Sequence, residues 1–146
     1  QDLQNFMALN KANVDVVPNR ATVTARMQWL MHPNNHGLLN EELIDLRLRI
    51  YLAPETRRVA PSINAVIQHH DEYLIPLKEI KCETLFLWTK DNPIHDIEAA
   101  HSAAKQVPQS KFYLMQGDAA HWPQYEVPEE FNSVASMYFL TGQIPS

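Results

Sequence analysis

Glycine is scarce in this chain, with three residues in 146, at positions 37, 117 and 142. Average usage is about 7%, so most of the ordinary supply is missing. A complete α/β enzyme places glycine in its phosphate, oxyanion and nucleophile turns, where the backbone takes positive φ or comes close to a ligand. Either the chain is no such enzyme or those turns lie elsewhere. Cys82 is the single cysteine, which excludes an intrachain disulfide. No apolar run approaches the roughly 18 residues that a membrane span requires. The opening "QDLQNFMALNK" lacks the basic start and apolar centre of a signal peptide. It also lacks an initial Met, which is compatible with processing or truncation. A basic face is absent too: net charge is −5, and the Lys and Arg residues are scattered. Phosphate binding needs clustered positive charge, so no nucleic-acid partner is expected. These absences point to a cytoplasmic protein without a membrane partner.

What is present changes character part-way along. The first half reads as helices interrupted by proline, which numbers ten in the chain. "LQNFMALNKA" has helical spacing at Leu3, Phe6 and Met7. Asn19 can cap "RATVTARMQWLM", where Val23, Met27, Leu30 and Met31 make a helical stripe. "HPNNHG" breaks the chain. Asn40 can cap a further helix with Glu41 and Glu42 favourably placed in its first turn. The expected buried face of that helix is Leu43, Leu46 and Ile50. "PETRRVAPSINAVIQHHDEYL" reads as another helical piece limited by Pro54 and Pro61. Residues 1–76 therefore form an irregular helical domain with little sign of a core of its own.

Beyond Pro76 the pattern is strand, helix, strand, helix. "CETLFLWT" is a short apolar run of the kind buried on both faces of a sheet. "HDIEAAHSAAKQV" has helical spacing, "KFYLM" is a second strand, and "VPEEFNSVASMYFL" is a final helix with Pro128 tolerated in its first turn. The order predicts a parallel sheet flanked by helices, an α/β class. Two strands are too few for a stable sheet. Residues 77–146 therefore read as the end of a larger α/β domain.

In such sheets ligands gather beyond the carboxyl ends of the strands. The first of these ends carries Asp91 and Asn92 in "WTKDNP", the second Asp118, His121 and Trp122 in "GDAAHW". An acid-type loop followed by a His loop is the order of an α/β-hydrolase triad, Ser then Asp/Glu then His. The imidazole takes the nucleophile's proton while a fixed acceptor holds its other nitrogen in one tautomer. On spacing alone, a loop histidine is more often an ordinary half-exposed one.

From "LIPLKEIKCETLFLWTKDNP" through "GDAAHWPQYEVPEEFNSV" the chain resembles the C-terminal part of the meta-cleavage product hydrolases. These α/β-hydrolase-fold enzymes cleave carbon–carbon bonds in vinylogous 1,5-diketones from aromatic-ring degradation. Their last motif reads Gly/Ala-His-Trp, a polar–aromatic pair, then Glu, and "AAHWPQYE" matches it. The helical half is similar to the family's lid, and "LLNEELIDLRLR" looks like the lid helix whose Arg contacts the substrate's carboxylate and dienol oxygens. The resemblance implies that His121 is the general base, Trp122 a wall of the substrate pocket and Arg47 the lid arginine. Arg49 substitutes if the helix register shifts. A planar guanidinium can hold a carboxylate bidentately, whereas a solvated Arg47 paired with Asp45 or Glu42 would contribute little. The family needs no cofactor, and a homo-oligomer is expected.

Two departures qualify the match. The family's acid is the second residue of an acidic pair, and that position here is Asn92. Asn can orient a histidine but brings no charge to the imidazolium. Asp91, one residue earlier, is the preferred acid, with Asn92 next and Asp96 a further candidate. More seriously, the Gly-x-Ser-x-Gly elbow is absent, since none of Ser62, Ser102, Ser110, Ser133, Ser136 and Ser146 has flanking glycines. The expectation is that a second polypeptide or further segment carries the nucleophile, which also accounts for the glycine deficit. Other readings are a non-catalytic binding protein, an esterase or a cofactor-free dioxygenase of the same fold. "HHD" at His69–Asp71 and the pair His95/His101 have poor spacing for metal ligands, so no metal is expected.

Overall fold

A computed structural model describes residues 17–68 and 74–145. The helix expected over "LQNFMALNKA" and the "HHD" group lie outside them. The chain divides into two compact units, one within Gln1–Trp29 and Gly37–Ile75, the other within Leu30–His36 and Pro76–Ser146. The segment Leu30–His36 thus belongs with the C-terminal unit, although it lies far from it in sequence.

In the first unit, α1 (Arg20–Leu30, its last residue already in the other unit), α2 (Glu41–Leu52) and α3 (Pro54–Gln68) follow one another. Asn19 starts α1 by a reciprocal cap: its side-chain oxygen accepts the Thr22 N–H, and its own N–H donates to the Thr22 hydroxyl. The predicted stripe Val23, Met27, Leu30 and Met31 is buried. Asn40 caps α2 through the Leu43 N–H at 2.9 Å, with Glu41 and Glu42 in the first turn. The buried face of α2 differs from the expected one. Ile44 is its buried residue, while Leu46 and Ile50 are each 41% exposed. The inward stripe therefore runs Ile44, Arg47, Leu48, Tyr51, one residue out of phase with the pattern of leucines. Pro61 does not end α3; the helix runs through it and forfeits one backbone bond at that position.

In the second unit, β1 (Thr84–Trp88) and β2 (Ser110–Leu114) pair in parallel, Thr84 opposite Ser110 and Trp88 opposite Leu114. The crossover helix α4 (Ile97–Gln106) buries Ala100 and Ala104. Short α5 (Pro123–Glu126) leads through Val127 into α6 (Pro128–Thr141), which buries Val134 and Tyr138. Gly142 ends α6 in the left-handed conformation, φ 69°, its N–H bonded to the Tyr138 carbonyl. The strands were expected to be buried on both faces, yet every strand residue is half-exposed. A two-stranded sheet has too few neighbours to cover both faces. Among the described residues no helix is long and apolar enough to cross a membrane.

Candidate active site

The loop after β2 is built around two carboxylates. Glu130, on the first turn of α6, accepts the N–H groups of Gln116 at 2.7 Å and Gly117 at 2.9 Å, and the Tyr113 hydroxyl at 3.0 Å. Burial pushes the Glu130 pKa up, but the bonds from Gln116, Gly117 and Tyr113 outweigh it, and the net shift is downward. Burial and then the bond to Glu130 push the Tyr113 hydroxyl up. Gly117 is required here for space. A Cβ at that position would lie 2.9 Å from Val127 Cγ1 and 3.1 Å from Glu130 Oε2.

Glu126 is buried and holds the other end of the loop. Its Oε1 accepts the N–H groups of Ala120 at 3.0 Å and Trp122 at 3.1 Å. Its Oε2 accepts the His32 N–H at 2.7 Å and the Asn35 side-chain amide at 3.1 Å. The segment Leu30–His36 is tied to the same loop at further points. The His121 N–H donates to the Leu30 carbonyl, and the Asn34 and Asn35 amides donate to the Asp118 carboxylate and carbonyl. The sequence "HPNNHG" reads as a break and does not by itself announce a part in this site. Adjacent asparagines able to bond backbone groups were the available signal.

His121 is thereby fixed in backbone position between the two ends of this strap. Its Nδ1 lies 3.3 Å from Asn92 Oδ1. The same oxygen accepts the N–H groups of Ile94 at 3.0 Å and His95 at 3.4 Å. Backbone N–H groups can only donate, so the amide orientation of Asn92 is determined and its oxygen faces the imidazole. Nδ1 must then carry the hydrogen, leaving the lone pair on Nε2. That tautomer is the one a general base requires.

Asp91 engages a different histidine. Its carboxylate stands 3.8 Å from His32 Nε2, and His32 Nδ1 accepts the Asn34 N–H. The structure thus brings Asn92 to His121 and Asp91 to His32, the reverse of the preference drawn from the sequence. Asp96 caps α4 through the Ala99 N–H, so it too is engaged elsewhere. Trp122 is half-buried beside His121 and meets Tyr125 edge-on, with centroids 6.3 Å apart.

Arg47 lies in the first unit, half-buried on the inward stripe of α2, while Arg49 is exposed. Its guanidinium sits over the Tyr51 ring, 5.1 Å from the centroid, and donates to the Tyr51 hydroxyl at 2.9 Å. Arg26 approaches the same ring at 5.6 Å. Asp45, a possible partner for a solvated Arg47, instead pairs with Arg20, as does Glu41. Among the described residues no group of three or more His, Cys, Asp or Glu side chains converges as a metal site.

Solved structures place this geometry in a known architecture. The meta-cleavage product hydrolase CumD from Pseudomonas fluorescens superposes with a TM-score of 0.72 over 92% of this chain and 50% of that one, at 16% identity. For the 2-hydroxy-6-oxo-6-phenylhexa-2,4-dienoate hydrolase BphD from a Rhodococcus species the TM-score is 0.70, over 86% and 46%, at 16% identity. The chain has part of the α/β-hydrolase fold. It spans about half the length of the solved structures it matches. A thermophilic esterase from Thermogutta terrifontis matches with a TM-score of 0.63 over 95% of this chain and 50% of its own, at 19% identity. No family model matches the sequence.

Proposed function

We propose that this chain supplies the base and lid contacts of a serine-type hydrolase that cleaves a carbon–carbon bond in a meta-ring-cleavage product. The observation that carries the reading is the His121–Asn92 contact at 3.3 Å, which puts the hydrogen on Nδ1 and the lone pair on Nε2. It is supported by the "AAHWPQYE" motif and by likeness in fold to CumD and BphD. In this reading the nucleophile sits on a Gly-x-Ser-x-Gly elbow carried by a second polypeptide or further segment. The assembled enzyme is a cytoplasmic homo-oligomer that uses no cofactor.

The chemistry then divides among named groups. Arg47 binds the substrate's carboxylate and dienol oxygens, its planar fork held by Tyr51. Ketonisation places a carbonyl where it can accept the electron pair of the scissile bond. His121 Nε2 takes the proton of the serine, or of a water, as its oxygen attacks the distal carbonyl. Backbone donors stabilise the oxyanion. Collapse breaks the carbon–carbon bond, and the carbon leaving group is protonated. Where the serine attacks, a water then hydrolyses the acyl-enzyme to the carboxylic acid; where water attacks, the acid forms directly, and the other product in either case is the dienol. Trp122 forms part of the pocket wall.

In the assembled enzyme, His121→Ala is expected to lower kcat on a dienol substrate by at least about 10³-fold. Turnover near the wild-type rate would overturn the assignment. A non-catalytic binding protein of the same fold draws on one specific observation, the uncharged Asn92 where a carboxylate would stabilise the imidazolium. That reading requires the His121 substitution to leave ligand binding intact and no hydrolysis to be detectable in the parent.

A further inference from the structure

Glu126 receives more hydrogen bonds than a surface carboxylate would, and all come from groups that can only donate in this arrangement. Four N–H groups converge on its two oxygens, two on each: Ala120 and Trp122 on Oε1, His32 and the Asn35 amide on Oε2. The residue is 6% exposed, so water cannot replace a lost partner without opening the loop. Ala120 and Trp122 are the immediate neighbours of His121 in the chain. The bond to the Trp122 N–H fixes the peptide plane that follows the imidazole-bearing Cα, and the bond to the Ala120 N–H fixes the plane one residue before the Ala120–His121 peptide. The bond to His32 joins that loop to the segment whose Leu30 carbonyl receives the His121 N–H at 2.9 Å. His32 in turn faces Asp91, next to the Asn92 that orients His121.

We propose that Glu126 is a positioning residue for His121, setting the direction of its imidazole and hence the tautomer that Asn92 selects. The proposal rests on the reading of His121 as the base, but it makes a claim about this loop that can be tested without turnover. Only a side chain with two acceptor oxygens and no donor hydrogen satisfies four N–H groups. Glutamine of the same size turns an NH₂ toward two of them. The loop then moves to relieve that conflict, and the 3.3 Å contact of His121 with Asn92 opens with it. A purely structural carboxylate would change stability and leave the imidazole as it was.

The test compares the protein with its Glu126→Gln variant by ¹⁵N–¹H NMR of the imidazole. The parent is expected to show His121 with its hydrogen on Nδ1. The variant is expected to show a mixture with the Nε2-bound form, and amide exchange at Ala120, Trp122 and His32 faster by about tenfold, the loss of roughly one net hydrogen bond. In the catalytic assembly kcat should fall on the order of 10²-fold with KM nearly unchanged, since the base is displaced and substrate contacts are not. A folded variant whose His121 tautomer matches the parent would overturn the proposal. If the Gln variant does not fold, Asn35→Ala, which removes one donor of the four together with the bond to the Asp118 carbonyl, carries the same test. A shift of the tautomer in the same direction supports the proposal, and an unchanged tautomer overturns it. Normal turnover in His121→Ala would remove the base reading alone, leaving the tautomer result standing.

Discussion

The side-chain oxygen of Asn92 stands 3.3 Å from Nδ1 of His121 and also receives the N–H groups of Ile94 and His95. An acceptor locked in this way selects the imidazole tautomer but brings no negative charge. It can orient a base, yet it stabilises the imidazolium less than a carboxylate does. Asn92→Ala should therefore lower kcat of the assembled enzyme on the order of 10²-fold or more by releasing the tautomer. Asn92→Asp should raise kcat above the parent, provided the loop bonds to Ile94 and His95 survive. Asp91→Asn, which alters the His32 pair, should have the smallest effect of the three. Steady-state kinetics decide the order, and a larger loss for Asp91→Asn would move the orienting role to Asp91.

Glu130 gives the loop a dependence on pH whose sign follows from its hydrogen bonds. Its pKa is lowered in the folded protein from the ordinary 4.5 because the bonds from Gln116, Gly117 and Tyr113 outweigh the opposing effect of burial. A carboxyl whose folded pKa is depressed contributes stability that is fully present above the unfolded value. The contribution declines as pH falls below 4.5 and is lost through the lower folded value. Glu130→Gln should accordingly be less stable than the parent at pH 7, with the difference shrinking on acidification below about 4.5. Urea denaturation at several pH values measures it. A difference that grows toward acid would contradict the assignment.

How far the sequence foretold this site differs from residue to residue. The helix caps at Asn19 and Asn40, the strand–helix–strand order and the position of His121 were legible because each depends on local chemistry. The inward face of α2 was misread because the leucines look like a core stripe, while tertiary packing turns Ile44 and Arg47 inward instead. The sequence favours Asp91 over Asn92 as the partner of His121, whereas the structure brings Asn92 to it. Neighbouring side chains on a loop point in different directions, and only the paths of the Ile94 and His95 N–H groups settle which one meets the histidine. The Glu126 strap joins residues more than ninety positions apart in chain order, such as His32 and Glu126, and no local pattern encodes it.

Gly117 illustrates a glycine selected for space and not for backbone conformation. Gly142 is the glycine with positive φ, whereas Gly117 is crowded by Val127 and Glu130. Replacing glycine by alanine at an unstrained site commonly stabilises by reducing unfolded-state entropy. Here the added Cβ would sit 2.9 Å from Val127 Cγ1, which is closer than real contacts allow. Gly117→Ala should destabilise the protein by about 1–3 kcal/mol. Val127→Ala in the same chain should recover part of the loss, since it removes the nearer obstruction. Denaturation of the two single variants and the double variant measures that coupling. Strict additivity would show that the crowding is relieved some other way.

Under the proposed function, the half-exposed sheet leads to a further prediction about what lies alongside β1. In a parallel pair, backbone groups of alternate residues face the partner strand. The Thr84 N–H donates to the Gln109 carbonyl at 2.9 Å, and the Trp88 carbonyl accepts the Met115 N–H at 2.8 Å. Thr84 and Trp88 therefore face β2, and by alternation the N–H and C=O groups of Leu85 and Leu87 face away from it. Another parallel strand alongside β1 would bond those groups and help cover the half-exposed side chains of the sheet. If the Gly-x-Ser-x-Gly portion supplies that strand, the amides of Leu85 and Leu87 should exchange with solvent rapidly in this chain alone. Protection of at least about tenfold should appear in the assembled enzyme, the minimum expected for about one net hydrogen bond. Amides of Phe86 and Trp88, already directed at β2, should change less. Equal exchange at Leu85 and Leu87 in the two states would mean that β1 is an outer strand and that the proposed elbow-bearing portion does not pair with it.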